Sequence, residues 1–204
     1  METIALPDGV RELPIVAGHL ALDFANTVDD PLGPRRFDHI ASYPALLAWS
    51  VRAGSVPAGA AGALARAGRD QPRAATAAVR RAAALRDALN ATFGALADGA
   101  NPAGRWPELR PFLVTALERA DLAPGPLLSW PFTDVESPLD PVAAAAFDLL
   151  TGPDVSHLKR CAGCPWLFLD RSKNASRRWC SMQDCGTHEK IQRYVSRRAA
   201  RRTG

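Results

Sequence analysis

Residues 161–185 read CAGCPWLFLDRSKNASRRWCSMQDC, and this stretch holds every cysteine of the 204-residue chain. The spacing is Cys161-x2-Cys164-x15-Cys180-x4-Cys185, which is two short-spaced pairs separated by fifteen residues. Such a pattern is typical of a tetrahedral zinc site with four thiolate ligands. We therefore predict one structural zinc ion that is bound by all four cysteines.

Two other interpretations of the cysteines are open at this stage: disulfide bonds, and a redox or catalytic thiol site. Disulfides suit small secreted domains, but residues 1–14 lack the basic cap and apolar run of a secretory signal. Two histidines are weaker candidate ligands: His188 lies three residues beyond Cys185, and His157 lies four residues before Cys161. A closed four-sulfur shell leaves no position for water, which argues against metal-assisted hydrolysis.

The residues between the two cysteine pairs predict a small β-hairpin. Residues 166–169 (WLFL) are apolar and predict a short strand, whereas residues 170–176 (DRSKNAS) predict a turn. The run that follows brings the chain back to the metal, so we expect Trp166, Phe168 and Trp179 to pack around a metal-bound hairpin. A segment this small cannot fold by apolar burial alone, so zinc is expected to supply the folding energy.

Beyond Cys185 the sequence predicts a helix that begins at Thr187 and contains no proline. Basic residues recur in it at spacings of three and four, which places them on one helical face. These residues are Lys190, Arg193, Arg197 and Arg201. Three apolar residues of the same helix are expected to face the hairpin: Ile191, Tyr194 and Val195.

Positive charge is concentrated at the C-terminal end of the chain. Residues 159–204 carry a net charge of +9 and residues 1–158 a net charge of −5, within a total of +4. A solvated basic terminus could look the same, but a basic helix attached to a zinc site points to a polyanion, and DNA is the expected partner. The predicted nucleic-acid contacts are Arg177, Arg178, Lys190, Arg193, Arg197 and Arg198.

The stretch from Cys161 to Arg198 resembles the CGNR zinc finger. The resemblance is carried by the cysteines, by residues 168–172 (FLDRS) and by residues 176–182 (SRRWCSM). Residues 18–27 (GHLALDFANT) resemble the opening of the ABATE domain, which commonly precedes this finger in bacterial proteins regarded as stress-induced transcription regulators. The resemblance implies a mostly helical N-terminal domain and a zinc-dependent, DNA-binding C-terminus.

One departure from the family pattern is plain. The name-giving Cys-Gly-Asn-Arg reads here Cys185-Gly186-Thr187-His188. An arginine at the last position could contact phosphate, whereas histidine is neutral much of the time near pH 7. The family's DNA contact at this position is therefore not expected to carry over unchanged.

The chain as a whole is predicted to be mainly α, with two domains. Residues 1–152 form a helical domain with minor short strands, and residues 153–204 form the zinc finger and its basic helix. Apolar periodicity and end signals predict helices over residues 42–52, 72–98 and 142–150, with another after Pro111. Four arginines lie off the apolar stripe of the longest helix and are expected to be solvated: Arg73, Arg80, Arg81 and Arg86.

Residues Asp23, Asn26 and Thr27 are the candidates for binding a small effector molecule. A carboxylate, an amide and a hydroxyl close together could bind a ligand, or they could satisfy buried backbone groups or cap a helix. The N-terminal domain would then sense a signal or mediate formation of a homodimer.

No glycine-rich phosphate loop, HExxH motif or nucleophile elbow is present, so we predict that the protein is not an enzyme. No apolar run approaches the length of a membrane span, and we expect a cytoplasmic bacterial protein. The alternative function is a zinc-stabilised module that binds a protein or RNA.

Overall fold

The computed structural model of the chain describes residues 13–30, 36–122, 124 and 128–200. Within these residues the fold is mainly helical, with three pairs of short antiparallel strands, which confirms the predicted fold class. The helices are α1 (Leu20–Ala25), α2 (Tyr43–Arg52), α3 (Ala58–Asp70), α4 (Pro72–Ala97), α5 (Trp106–Glu118), α6 (Asp140–Thr151) and α7 (Thr187–Ala200). The strands are β1 (Val28–Asp29), β2 (Phe37–Asp38), β3 (Asp121–Leu122), β4 (Leu128–Ser129), β5 (Leu158–Arg160) and β6 (Leu167–Leu169). None of the described helices is both long and apolar enough to cross a membrane.

Helix α4 lies at the centre of the fold, and α1, α2, α3, α5 and β5 all pack against it. Its fully buried apolar residues recur at three and four: Ala78, Ala82, Leu85, Leu89 and Phe93. The helix begins at Pro72, because a proline needs no hydrogen-bond partner in a first turn, and it ends just before Gly99. Gly99 has a φ of +70°, the left-handed conformation that glycine adopts at helix ends. The helix predicted over residues 72–98 is confirmed.

Arg86 on α4 is fully buried, so the prediction that it is solvated was wrong. Its guanidinium donates two hydrogen bonds to the Asp38 carboxylate of β2, at 2.7 and 2.8 Å. Burial alone would raise the pKa of Asp38, but the hydrogen bonds from Arg86 outweigh it and the pKa is lowered. Helical spacing cannot reveal a distant carboxylate, and a bidentate pair is what allows an arginine to be buried. Arg73 and Arg80 are exposed, as predicted.

Helix α3 was not predicted, and it packs closely on α2. Its sequence is rich in alanine and glycine and no side chain caps its start, so the usual start signal is missing. Gly68 explains one of the glycines, because a Cβ atom there would lie 2.5 Å from the Tyr43 ring. The glycine is therefore needed for the close approach of the two helices.

Helices α5 and α6 each follow a short 3-10 turn, Ala103–Arg105 and Ser137–Leu139. Helix α5 begins five residues before Pro111, so the prediction of a helix that starts after this proline was wrong. A proline this near the start removes one backbone hydrogen bond and leaves the rest of the helix intact. Buried Leu109, Leu113 and Ala116 lie on the side of α5 that packs against α4 and α6.

The C-terminal hairpin shares one apolar core with the helices. Leu167, Phe168 and Leu169 of β6 are buried in the same cluster as Leu22 of α1 and Phe93 of α4. A backbone hydrogen bond of 2.8 Å from Leu169 to the Ala17 carbonyl adds a polar contact. The zinc-finger segment is thus packed into the helical body by its strand β6.

Candidate metal centre and nucleic-acid surface

The first cysteine pair lies in the turn of the hairpin formed by β5 and β6. These strands pair antiparallel, with Lys159 opposite Phe168, and the Cys161 N–H closes the turn by donating to the Trp166 carbonyl at 2.8 Å. The predicted strand at residues 166–169 is present, but its partner precedes Cys161. The segment that leads to Cys180 contacts the hairpin through one backbone hydrogen bond of 2.9 Å, from the Ala162 N–H to the Arg178 carbonyl.

The four cysteine sulfurs form one compact cluster. All four Sγ atoms lie within 4.8 Å of one another. Cys180 Sγ lies 3.6 Å from Cys164 Sγ and 3.7 Å from Cys185 Sγ, distances far too long for a disulfide. A tetrahedral zinc with Zn–S bonds of about 2.3 Å requires its sulfurs to lie about 3.8 Å apart. The cluster therefore fits one structural zinc ion, and the predicted zinc cofactor is confirmed.

Backbone N–H groups point at the sulfur of Cys161. The N–H of Cys180 donates to this Sγ at 3.2 Å, and the N–H of Gly163 donates to it at 3.4 Å. Such donors stabilise the negative charge of a thiolate and orient it as a ligand. Gly163 also allows the turn with the first cysteine pair to approach Cys185, because a Cβ atom at position 163 would lie 3.2 Å from the Cβ of Cys185.

The protonation of the cluster depends on the metal. Without a cation, the hydrogen bond with Cys164 and burial raise the pKa of Cys180, whereas the same hydrogen bond lowers the pKa of Cys164 to about 6. A divalent cation removes this asymmetry, because coordinating thiols lose their protons. Metal binding at this cluster is therefore accompanied by proton release. The ligand cluster does not include His157 or His188.

The turn between the cysteine pairs is organised by the buried carboxylate of Asp170. Its oxygens accept hydrogen bonds from Lys159 Nζ at 2.6 Å, from Ser172 Oγ at 2.6 Å and from the Arg177 N–H at 2.9 Å. Lys159, followed by Ser172, holds the pKa of Asp170 well below its usual range. The carboxylate thus fixes both ends of the loop that returns the chain to Cys180.

Arg177 is occupied by contacts within the chain. Its Nε donates to the Trp179 carbonyl at 2.9 Å, and its Nη2 donates to the carbonyls of Val16, at 3.0 Å, and of Cys180. The guanidinium also lies over the Phe168 ring, 4.5 Å from its centroid. This geometry favours a role in joining the metal centre to the N-terminal segment, and a nucleic-acid contact by Arg177 stays a prediction.

Asn26 connects α1 to the hairpin through two hydrogen bonds. Its Nδ2 donates to the Leu167 carbonyl at 2.8 Å, and its Oδ1 accepts from the Leu167 N–H at 2.9 Å. Nearby, Trp166 Nε1 donates to the Val28 carbonyl at 3.3 Å, and Thr27 Oγ1 donates to the Phe24 carbonyl at 2.8 Å. The side-chain amide of Asn26 therefore forms the same pair of hydrogen bonds with the backbone of β6 that a neighbouring strand would form.

Asp23 satisfies the backbone of the segment before α1. Its Oδ1 accepts from the N–H groups of Val16 and Ala17, both at 2.9 Å. Burial raises the pKa of its carboxyl group to about 6. Asp23, Asn26 and Thr27 all have backbone partners, as the alternative interpretation of these residues anticipated. Ligand binding by them stays a prediction.

The raised pKa of Asp23 predicts a specific pH dependence of stability. The pKa is about 6 in the folded protein against an ordinary 3.8, so the folded state binds more protons between these values. The contribution of Asp23 to stability therefore falls as the pH rises through this range and is constant above it. We expect the free energy of unfolding of the wild type, relative to Asp23→Asn, to rise as the pH is lowered from about 6 to about 4.

Urea unfolding of both proteins at several pH values measures this difference. Loss of zinc at low pH affects both proteins, so taking the difference between them largely removes it. Parallel pH profiles for the two proteins would show that Asp23 is not the titrating group.

Helix α7 leads directly out of the metal centre. Cys185 lies in a short π-helical turn, Met182–Gly186, which contacts α7. Ser181 Oγ caps this turn by accepting from the Asp184 N–H at 3.2 Å. The apolar residues Ile191, Tyr194 and Val195 are 56%, 63% and 57% exposed, so the prediction that they face the hairpin was wrong. Apolar spacing showed a helical face but not whether anything covers it.

The predicted nucleic-acid contacts differ in how freely they face solvent. Arg178, Lys190 and Arg198 are exposed, and no salt bridge between described residues involves them. Arg178 stacks on the Trp179 ring at 5.2 Å from its centroid. Arg193 and Arg197 lie within α7, but their side chains fall outside the described part of the chain. By contrast, three cations of the hairpin and its turn are paired with carboxylates: Lys159, Arg160 and Arg171.

Two family models match the chain, one after the other. The ABATE model, described as "Putative stress-induced transcription regulator", matches residues 18–153. The CGNR zinc finger model matches residues 157–198. Neither description is that of an enzyme class. A search of curated proteins gave no match.

Proposed function

The chain belongs to the ABATE family and carries a CGNR zinc finger, and we propose that it is a bacterial transcription regulator that binds DNA through the finger and helix α7. The observation that carries this proposal is a set of exposed cations beside the metal centre, none of which forms a salt bridge with another described residue. Arg178 lies two residues before Cys180, and Lys190 and Arg198 lie on the helix that follows Cys185. The protein would act in the cytoplasm, where bacterial DNA is found.

The metal gives the basic helix a defined direction. Zinc bound at Cys185 fixes the turn Met182–Gly186, and Thr187 Oγ1 donates to the Met182 carbonyl at 3.0 Å where α7 begins. A 14-residue helix is about 21 Å long, and the major groove of DNA is wide enough to admit it. Arginine and lysine side chains on such a helix can reach phosphates and, in the groove, guanine bases.

Salt dependence of DNA binding tests the proposal. We expect the zinc-loaded protein to bind duplex DNA with an affinity that falls steeply with salt, with a slope of about −0.9 per phosphate neutralised. Replacing Arg178, Lys190 and Arg198 together by alanine should weaken binding and make the slope shallower by about 2.7, since three contacts are lost. Fluorescence anisotropy at several salt concentrations, with zinc measured on each sample, provides the data.

A matched variant separates a local contact from a general loss of charge. Arg69, Arg73 and Arg80 are exposed arginines on α3 and α4, and their triple alanine variant removes the same charge from the helical domain. This control should keep nearly the full slope. Equal losses in both triple variants, or no salt-dependent binding by the wild type, would contradict DNA binding by the finger.

One observation favours the second candidate, a protein- or RNA-binding module. Ile191, Tyr194 and Val195 form an exposed apolar group on α7, and such groups mark protein interfaces more often than phosphate contacts. A protein partner seated there should bind with little dependence on salt and should be lost in Tyr194→Ser. DNA binding through the cations should survive that substitution.

A further inference from the structure

Helix α5 exposes apolar residues beside and opposite its buried side. Trp106, Val114 and Leu117 are 41%, 45% and 46% exposed. Pro107 and Pro111 are exposed on the same side of the helix as Val114. Pro107, Pro111 and Val114 recur at four and three, the spacing with which two helices pack along a common seam. We term this exposed side, centred on Val114, the α5 face.

The charges on the α5 face are arranged symmetrically about Val114. Arg110 lies four residues before it and Glu118 lies four residues after it. Both side chains are exposed, and within the described residues neither takes part in a salt bridge. Suppose that two antiparallel copies meet on a two-fold axis at Val114. A residue that lies a given number of positions before Val114 in one copy then faces the residue that lies the same number of positions after Val114 in the other copy. Arg110 of each copy then faces Glu118 of the other, and Pro111 faces Leu117.

We infer that the α5 face is a two-fold dimer interface whose occupant is a second copy of this chain. An isologous contact requires a surface that complements itself, and opposite charges equidistant from one apolar residue meet this requirement. The exposed apolar group on α7 does not, because the helix carries four cations against the single acid Glu189. Two copies of α7 would repel each other, so α5 is the self-complementary helix.

The inference goes beyond DNA binding and does not depend on it. A dimer formed through α5 would carry two zinc fingers related by a two-fold axis. Two such fingers would match a palindromic DNA site whose half-sites are separated by the distance between the fingers. The interface is formed by the helical domain alone, so it can be measured on the full zinc-loaded chain without DNA.

Charge reversal at the α5 face tests the inference. In the Arg110→Glu variant, a glutamate at position 110 faces Glu118 of the other copy in both contacts. In the Glu118→Arg variant, Arg110 faces an arginine at position 118 in both contacts. Each single variant should dimerise about ten- to a hundredfold more weakly than the wild type in sedimentation equilibrium at low salt. Combining both changes in one chain restores opposite charges and should restore the dimer.

The two single variants also provide an internal control. When they are mixed, each contact between unlike chains pairs a glutamate with an arginine, so the mixture should form heterodimers although each variant alone is mostly monomeric. Val114→Arg places two cations on the axis and should also dissociate the dimer. Zinc content and circular dichroism verify that each variant is folded. A monomeric wild type, or a dimer that none of these changes affects, would overturn the inference.

Discussion

Removal of the zinc ion is expected to unfold the C-terminal hairpin and to destabilise the helical domain as well. Zinc binding to isolated finger peptides contributes about 10–16 kcal/mol, which is comparable to the entire stability of a typical domain. The sequence predicts zinc-dependent folding for the finger segment. The structure places Leu167, Phe168 and Leu169 in the same core as Leu22 and Phe93, so the helices lose apolar contacts when the hairpin unfolds.

Thermal unfolding followed by circular dichroism, with and without a strong chelator, measures the effect. The zinc-loaded protein should melt in one transition, and chelation should lower the melting temperature of the helical signal. Cys180→Ser should behave like the chelated protein, because Cys180 has two sulfur neighbours in the cluster at 3.6 and 3.7 Å. Asn174→Ala, in the exposed turn between the cysteine pairs, is the control and should melt like the wild type. A helical signal that melts identically with and without zinc would show that the two segments are energetically separate.

Asn26→Ala is expected to cost about 2–6 kcal/mol of the free energy of unfolding, the largest loss that we predict for a single residue outside the metal ligands. Its amide satisfies both the N–H and the carbonyl of Leu167, and Asn26 is fully buried. The alanine variant leaves these two backbone groups without partners in a place that water cannot easily reach. Each such group costs about 1–3 kcal/mol when it is left unsatisfied.

Two further variants isolate the hydrogen bonds from the loss of side-chain volume. Asn26→Asp keeps nearly the same shape and can still accept from the Leu167 N–H, but its carboxylate cannot donate to the Leu167 carbonyl. Asn90 Nδ2 donates to the Ala25 carbonyl at 2.7 Å, and Asn90 is only partly buried. Denaturant unfolding should show that Asn90→Ala loses about 1 kcal/mol of the free energy of unfolding and that both Asn26 variants lose more. A fully stable Asn26→Asp protein would exclude the proposed role of the donor.

The metal site could be predicted from the sequence because its signal is local. Four cysteines at fixed spacings specify both the ligand and the geometry, and the sulfurs lie where tetrahedral zinc needs them. The long helix α4 was predictable for a similar reason, since its apolar spacing repeats over seven turns and Gly99 marks its end. These signals need no knowledge of the rest of the chain.

The remaining features depend on residues that are far apart in the sequence. The burial of Arg86 depends on Asp38, and the partner strand of β6 lies before the cysteines. Gly68 has meaning only beside Tyr43 of another helix. Asn26 was identified as a residue of interest, but its partner at position 167 lies 141 residues away. Periodicity within one segment contains no information about such pairs.

The contacts of Arg160 limit how freely this finger could be exchanged between proteins. Arg160 donates to the Asp98 carboxylate at 2.9 and 2.7 Å and to the Pro165 carbonyl at 3.1 Å. A Cβ atom at position 94 would lie 2.7 Å from its guanidinium, so a larger residue there would require the arginine side chain to shift. A chimera that grafts residues 157–198 onto an unrelated helical protein would bind zinc, but it would lack the helical surface against which the finger packs. Recombination between such proteins would therefore keep these contacts only if the carboxylate at position 98 and the amide at position 26 were carried along with the finger.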